Sequence, residues 1–324
     1  MKKMRIILSI LIVTLLFSCS DDFTNDATEF QIDSESFFNS ETDYNEALVA
    51  AYDLLQSSYL NVMLGEIASD NTLAGGESST DTPGIQQIDN MLHTSNNENL
   101  KNIWDWMFAG VNRANYILEF QDKIDFEGKT QIIAEARFLR AYYNFELVKW
   151  FGAIPIKDNE RFNVGDELII PRTPVEDVYA FIQNDLIFAS DNLLEIAPQV
   201  GRATSGAALA LLGKSYLYDK KYDLATNALD RVINSNTYQL ETDYTVIFET
   251  EGENGVGSIF EIQYSDVEGA GFGCLQCSEG NVAVGFNGIR NYVGPLYDSG
   301  FSFNVPTQEV FNVFEEGDIR REVA

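Results

Sequence analysis

The chain has 324 residues, of which 45% are hydrophobic, enough to bury a real core in one large helical domain or in two smaller ones. Its 21 Lys and Arg stand against 50 Asp and Glu, for a formal charge of −29. That balance excludes nucleic acid as a partner, since phosphate binding needs clustered basic residues, and excludes a polybasic membrane patch. A single His and 3 Cys exclude most zinc architectures, which take about four N/S ligands. Any Ser-His-Asp triad would depend on His93 alone.

The N-terminus reads as a signal peptide over residues 1–18. Lys2, Lys3 and Arg5 form a basic start, and Ile6 to Phe17 form an apolar run. That run is too short for a bilayer span, which takes about 20 apolar residues. Leu16-Phe17-Ser18-Cys19 resembles the bacterial lipobox, so cleavage before Cys19 and lipidation of that residue are expected. Ser20-Asp21-Asp22-Phe23 resembles the acidic surface-export signal of Bacteroidetes lipoproteins. Removing the leader takes away basic residues only, so membrane attachment falls to the acyl chains, at about 0.8 kcal/mol per buried CH₂.

Residues 19–40 are polar and acidic and read as a tether. The first helix starts near Glu41, with Ser40 as N-cap and Asp43 completing a capping box. Ala47, Ala50, Ala51, Leu54 and Leu55 recur at helical spacing, and the helix is expected to end near Ser58. An apolar patch, Val62 to Ala68, leads into Asp70–Gln86, which is rich in Gly, Ser, Thr and Asp and reads as a long surface loop. Helix resumes near Asn97, where Trp104, Phe108, Val111, Asn115 and Leu118 share one stripe. The next helix spans Lys129–Phe151 and stops at Gly152, with Pro155 beyond it. Thr173 reads as the cap of a following helix with Pro174 in its first turn, running to about Ile196.

Ser205–Asp219 and Asp223–Asn234 form a helix pair. Leu212, Gly213 and Tyr216, then Ala225 and Leu229, follow the tetratricopeptide pattern, in which small residues let paired helices approach closely. Leu209 and Thr237 stand where that pattern usually has Trp and Pro. Beyond Tyr238 the texture changes. Ser258–Tyr264 alternates apolar and polar residues, a strand signal. Residues 267–300 are Gly-rich loop, and a short helix is expected near Thr307–Glu315. Cys274-Leu275-Gln276-Cys277 has redox-motif spacing but lies in a loop, where a local disulfide is the favoured reading.

Several segments together resemble the SusD/RagB family of Bacteroidetes outer-membrane lipoproteins. The strongest is Ala134-Glu135-Ala136-Arg137-Phe138-Leu139-Arg140-Ala141-Tyr142-Tyr143-Asn144-Phe145, ending at Gly152-Ala153-Ile154-Pro155. Trp104, Arg113-Ala114-Asn115 and Leu118 match the helix before it. Gly201-Arg202-Ala203-Thr204, Ala207-Ala208 and Tyr216 match the opening of the repeat pair. Ile259-Phe260-Glu261 matches a strand, and Phe314-Glu315 with Asp318 and Arg320 matches the last segment. The resemblance implies a mainly α, SusD-like fold with tetratricopeptide-like helix pairs over residues 41–240, and a loop-rich part with short strands over 241–324. It implies a cell-surface, lipid-anchored outer-membrane protein that captures oligosaccharide or peptide for a SusC-like TonB-dependent transporter, without catalysis. Such proteins continue well past Asp318 and Arg320, so the chain is expected to be a fragment or truncated product. The alternative reading is a tetratricopeptide-type scaffold that binds protein.

Sugar recognition pairs aromatic faces with polar rims. Loop residues are therefore the candidates: Phe272, Phe286, Tyr292 and Tyr297, with Asn287, Arg290 and Asn291 beside them, and Asp70, Asn71 and His93 from the earlier loop. Trp104 and Trp150 sit on helical stripes and read as core. Arg137 and Arg140 read as ion-pairing residues on a helix that also carries Glu135 and Glu146. Glu249, Glu251, Glu315 and Glu316 read as solvated surface, because nothing holds two carboxyls across a cleft as glycoside hydrolysis requires. No cofactor or metal is expected.

Overall fold

In a computed structural model, residues 36–264, 283–296 and 298–323 are described. The chain divides into residues 1–39 and residues 40–324, and every element below belongs to the second unit. Helix α1 spans Glu41–Asp53 and opens on the expected capping box. Ser40 Oγ accepts from the Asp43 amide at 3.3 Å, and the Ser40 amide donates to the Asp43 carboxylate at 2.9 Å. The helix does not run to Ser58. A 3₁₀ turn, Leu54–Ser57, leads into α2, Ser58–Ile67. The tighter turn re-phases the apolar stripe, so that Leu54 and Leu55 are buried together with Leu60, Met63, Leu64 and Ile67. The apolar patch at 62–68 thus belongs to a helix.

The Asp70–Gln86 segment is not wholly loop. It contains strand β1, Thr72–Ala74, and the start of α3, Pro83–Asp89. Strand β1 pairs antiparallel with β2, Asn304–Pro306, with Leu73 opposite Val305. Helix α4, Glu98–Glu119, is capped by Asn97, whose side-chain oxygen accepts from the amides of Asn99 and Leu100 at 3.0 and 3.2 Å. Helix α5 spans Lys129–Phe151 as expected. Helix α6 spans Val175–Asn192, with Pro174 rather than Thr173 at the cap position. It stops before Ile196, because Leu193 is already extended. Helices α7, Ser205–Tyr218, and α8, Tyr222–Asn234, form the repeat pair. A Cβ on Gly213 would lie 2.6 Å from the Leu229 side chain, which is the close approach the repeat pattern requires.

Helices α4 to α8 pack each on the next, and α1 lies against α4 and α5. Helix α5 is enclosed on all sides, with residues from Ile132 to Val148 buried around its circumference. It carries charges inside. The Arg140 guanidinium donates to both oxygens of Asp185 at 2.7 and 2.8 Å, and to Asn115 and Asn159 at 2.9 and 3.0 Å. Arg137 lies 3.7 Å from the same carboxylate. The two arginines therefore pair with an acid of α6 and not with the acids of their own helix. Glu135 accepts instead from Tyr52, Arg202 and Gln131, at 2.8, 2.7 and 2.8 Å. Glu146 accepts from Asn61 at 2.7 Å and pairs with Lys149.

The strand expected over 258–264 is absent: the segment joins no ladder. Its alternation serves side-chain packing. Phe260 meets Phe138 edge-on at 5.2 Å, and the Tyr264 hydroxyl donates to the Gln56 carbonyl at 2.8 Å. Short helices α9, Ala283–Asn287, α10, Gln308–Val313, and α11, Arg320–Val323, follow. The leader, Cys19, Phe272, Cys274, Cys277 and Tyr297 lie outside the described residues.

Candidate functional site

The polar loop after α2 meets the chain's last segment at the β1–β2 seam. Backbone bonds extend the short ladder at both ends. The Gly75 and Gly76 amides donate to the carbonyls of Phe303 and Ser302 at 3.1 and 2.8 Å, and the Thr307 amide donates to Asn71 at 2.8 Å. A side chain at Gly75 would strike the Ser302 carbonyl at 2.0 Å, so the two backbones meet only because this residue has no Cβ.

Helix α9 lies over α2 beside the seam. The Phe286 ring stacks on Tyr59, with centroids 5.5 Å apart and planes 20° apart. Above this pair runs a chain of polar side chains from three elements. Asn287 Nδ2 donates to the Tyr59 hydroxyl at 2.7 Å. Asn304 Nδ2 donates to Asn287 Oδ1 at 3.1 Å and to Glu66 Oε2 at 2.8 Å. Burial raises the Tyr59 pKa, the Asn287 hydrogen bond opposes this, and the Glu66 charge adds to it. The phenol therefore keeps its proton at neutral pH. Arg290 closes the other side: its guanidinium donates to Asp81 at 2.9 Å and to the Phe301 carbonyl at 3.2 Å. Asp81 also accepts from the Glu77 amide at 2.8 Å, which ties the 76–81 loop shut.

The candidates read from sequence meet here in part. Asn287 presents an exposed amide. Phe286 is buried and forms the layer beneath Tyr59, so its face is not open to a ligand. Arg290 is committed to Asp81. Asp70 and Asn71 contribute backbone carbonyls to Thr307, the Asp70 carbonyl accepting from its hydroxyl at 3.2 Å, while both side chains are exposed. Tyr292 is half-buried in its own loop, and His93 is exposed on the α3–α4 connection, outside this bonded set. Sequence reasoning missed Tyr59, Glu66, Asp81 and Asn304. Tyr59 and Glu66 are seven residues apart, hence on one helical face, a signal visible only once 58–67 is read as helix. Asn304 carried no signal.

A second groove, of about 490 Å³, opens between α1, residues 199–202 and residues 262–264. Two of its tyrosines are already engaged, while Gln56 Oε1 takes no hydrogen bond among the described residues. Tyr52 donates to Glu135 and accepts from the Ala203 amide at 2.9 Å. Tyr264, its pKa pushed up to about 12 chiefly by burial, donates to Gln56. Among the described residues no cluster of His, Cys, Asp and Glu could hold a metal ion, and no helix is long and apolar enough to cross a membrane.

A family model described as starch-binding and associating with the outer membrane, SusD-like, matches residues 23–217. The chain belongs to the SusD-like family. SusD-like protein P38 of Formosa agariphila is 27% identical over 276 residues, which cover 82% of this chain and 53% of that protein. A SusD-like protein of Bacteroides ovatus is 29% identical over 277 residues, covering 80% and 49%. A laminarin binding SusD-like protein of known structure superposes with a TM-score of 0.81 at 30% identity, over 88% of this chain and 66% of that one. Surface glycan-binding protein A from Bacteroides fluxus superposes at 0.78 and 25% identity, over 88% and 64%. This SusD-like chain spans about half the length of the first two relatives. Its helical fold is the SusD-like fold expected from the sequence. The family match covers Tyr59, Glu66 and Asp81 but stops within α7, so Asn287, Arg290 and Asn304 lie beyond it.

Proposed function

We propose that the protein is a lipid-anchored, surface-displayed outer-membrane lipoprotein that binds oligosaccharide at the β1–β2 seam and passes it to a SusC-like TonB-dependent transporter. The observation that carries this reading is the Tyr59–Asn287–Asn304–Glu66 chain above a stacked aromatic pair, with Asn287 and Glu66 exposed and Tyr59 and Asn304 half-buried, within a SusD-like fold. Amide, phenol and carboxylate groups in fixed mutual geometry match the hydroxyls of a sugar, and their own hydrogen bonds hold them ready for it. The names of the laminarin binding and glycan-binding relatives support the same ligand class. The role is binding without turnover.

Calorimetric titration of the whole chain with laminarihexaose, a malto-oligosaccharide and a mixed peptide library separates the ligand classes. Sugar binding weakened about tenfold by Asn287→Ala, equivalent to about 1.4 kcal/mol, is expected. Sugar affinity that ignores Asn287→Ala refutes the seam as the sugar site, and binding of peptide alone refutes the glycan reading. Palmitate labelling lost in Cys19→Ala tests the anchor, and recovery of a β-barrel transporter from solubilised outer membrane tests the partner. The reading as a protein-binding scaffold has one specific support: the α7–α8 pair leaves Leu217, Tyr218, Tyr222 and Leu224 exposed at its turn, an apolar group of the kind found at protein interfaces.

A further inference from the structure

A third groove, of about 450 Å³, lies between α4 and residues 155–170, away from the seam residues. Its floor is aromatic. Trp104 packs on Phe108 with centroids 4.6 Å apart, and Phe162 meets Phe108 edge-on at 5.5 Å. All three rings are only half-buried, so Trp104 is not purely a core residue. The floor is rigid. Asn112 holds the Phe162 backbone from both sides, accepting from its amide at 2.6 Å and donating to its carbonyl at 3.3 Å. Arg161 pairs with Glu119 at 2.6 Å, and Arg140 reaches Asn159, so the loop wall is tied to α4 and α5.

The rim carries Asp105, Asp166 and Glu167. Each spends one carboxylate oxygen on the protein. Asp105 accepts from Lys101, Asp166 from Lys157 and from the Asn163 amide, both at 2.8 Å, and Glu167 from the Gly165 amide at 2.8 Å. The other oxygen of each takes no hydrogen bond among the described residues. Lys101 and Lys157 compensate two of the acids, and Arg172 sits 6.0 Å from the Trp104 ring. The local charge is therefore nearly balanced, which disfavours an ammonium ligand, and no basic group lines the groove to attract an anion. What remains is an aromatic floor for C–H groups and outward carboxylate oxygens for hydroxyl donors. A neutral polyhydroxylated ring satisfies both. An apolar peptide side chain uses only the floor.

We propose that the Trp104–Phe108–Phe162 groove is a second carbohydrate subsite, separate from the seam. The proposal rests on the reading of the chain as a glycan binder, and its size suits a small ligand. The test is calorimetric titration of the whole chain with laminarihexaose, and with xylan, mannan and malto-oligosaccharides, to millimolar concentration. Two sites per chain are expected. Phe162→Ala removes one and leaves the site that Asn287→Ala weakens about tenfold. Glu167→Gln, an exposed substitution that leaves the fold intact, weakens only the Phe162-dependent site, by about threefold to tenfold, because a charged acceptor is replaced by a neutral one. A single site that Asn287→Ala weakens about tenfold and that Phe162→Ala and Glu167→Gln leave unchanged overturns the second subsite and keeps the seam. A single site lost only in Phe162→Ala keeps this groove and overturns the seam. No binding of any sugar overturns both.

Discussion

Replacing Arg140 with Met isolates what the interior of α5 contributes to stability. The Arg140 side chain is 1% exposed and that of Asp185 3%. Removing one partner of a buried ion pair leaves the other charge uncompensated, at about 3–5 kcal/mol. Arg137, 3.7 Å from Asp185 and itself partly exposed, still offers partial compensation and moves the cost toward the lower end. Asn115 and Asn159 each lose a donor, adding about 1 kcal/mol apiece. The expected loss is therefore about 5–6 kcal/mol, or on the order of 10 °C in Tm for a chain of this size. The double variant Arg140→Met/Asp185→Leu removes both charges and is expected to recover most of that loss, because matched apolar groups replace a buried pair at little cost. Urea unfolding followed by circular dichroism gives the cycle directly. A single-variant cost below about 1 kcal/mol, or a double variant equal to the sum of the singles, refutes the buried-pair account.

Two glycine substitutions contrast rigid with yielding neighbours. Gly110→Ala drives a Cβ to 2.5 Å from the Tyr143 ring, which is fully buried and pinned by its hydroxyl on the Ala51 carbonyl at 2.6 Å. Its overpacking cost of about 1–3 kcal/mol is expected to exceed the gain of about 1 kcal/mol in helix propensity. Gly213→Ala crowds the Leu229 side chain, which is half-exposed and can swing away, and reaches the Ala225 carbonyl only at an ordinary 3.4 Å, so it is expected to be near neutral in the same urea assay. Ser40→Ala removes the α1 cap and is expected to cost about 1 kcal/mol by urea unfolding. Alkaline stability follows from the tyrosines. Burial raises the phenols of Tyr52, Tyr143 and Tyr264, so the folded state favours the protonated form. Their contribution is complete below the unfolded value of about 10. For Tyr264 it is lost as pH rises to about 12, and for the other two the loss extends further. Unfolding free energy that stays flat across that window, measured beside tyrosinate absorbance, contradicts the assignment.

The long helices were legible because amphipathic periodicity and caps are local. Ser40 and Asn97 each mark a start that the structure keeps, and the helix read from Ser205 starts there. Helix α2 was lost to the reading because a 3₁₀ turn shifts the phase of the stripe in the middle of an apolar run. The seam was illegible for a different reason: two three-residue strands carry almost no pattern, and they pair Thr72 with Pro306, across most of the chain. Residues 258–264 show the converse, since alternation alone makes no strand without an edge to join. The acid partner of Arg140 lies 45 residues away on α6, and no helical spacing could point to it. At the seam, Asn287 was found by residue type, whereas Tyr59 and Glu66 needed the helix that carries them.

The buried charges of α5 share a pattern that burial alone does not require. Each ties a different segment that lines the seam or a groove to the same helix. Glu146 holds Asn61, in the middle of the helix that presents Tyr59 and Glu66 at the seam. Glu135 holds Tyr52 and Arg202, both in the wall of the 490 Å³ groove. Arg140 holds Asn159, at the root of the loop that forms the Trp104 groove. Hydrophobic burial is non-directional, so apolar contacts fix these registers less sharply than a hydrogen-bonded buried charge does. A buried carboxylate or guanidinium is satisfied in one register only, and every other register leaves it unpaired at a cost of several kcal/mol. The charges are thus better understood as register devices than as sources of stability. The double variant of Arg140 and Asp185 separates the two roles: it restores unfolding free energy without restoring the bond to Asn159, so amide exchange across residues 157–167 stays faster than in the native chain.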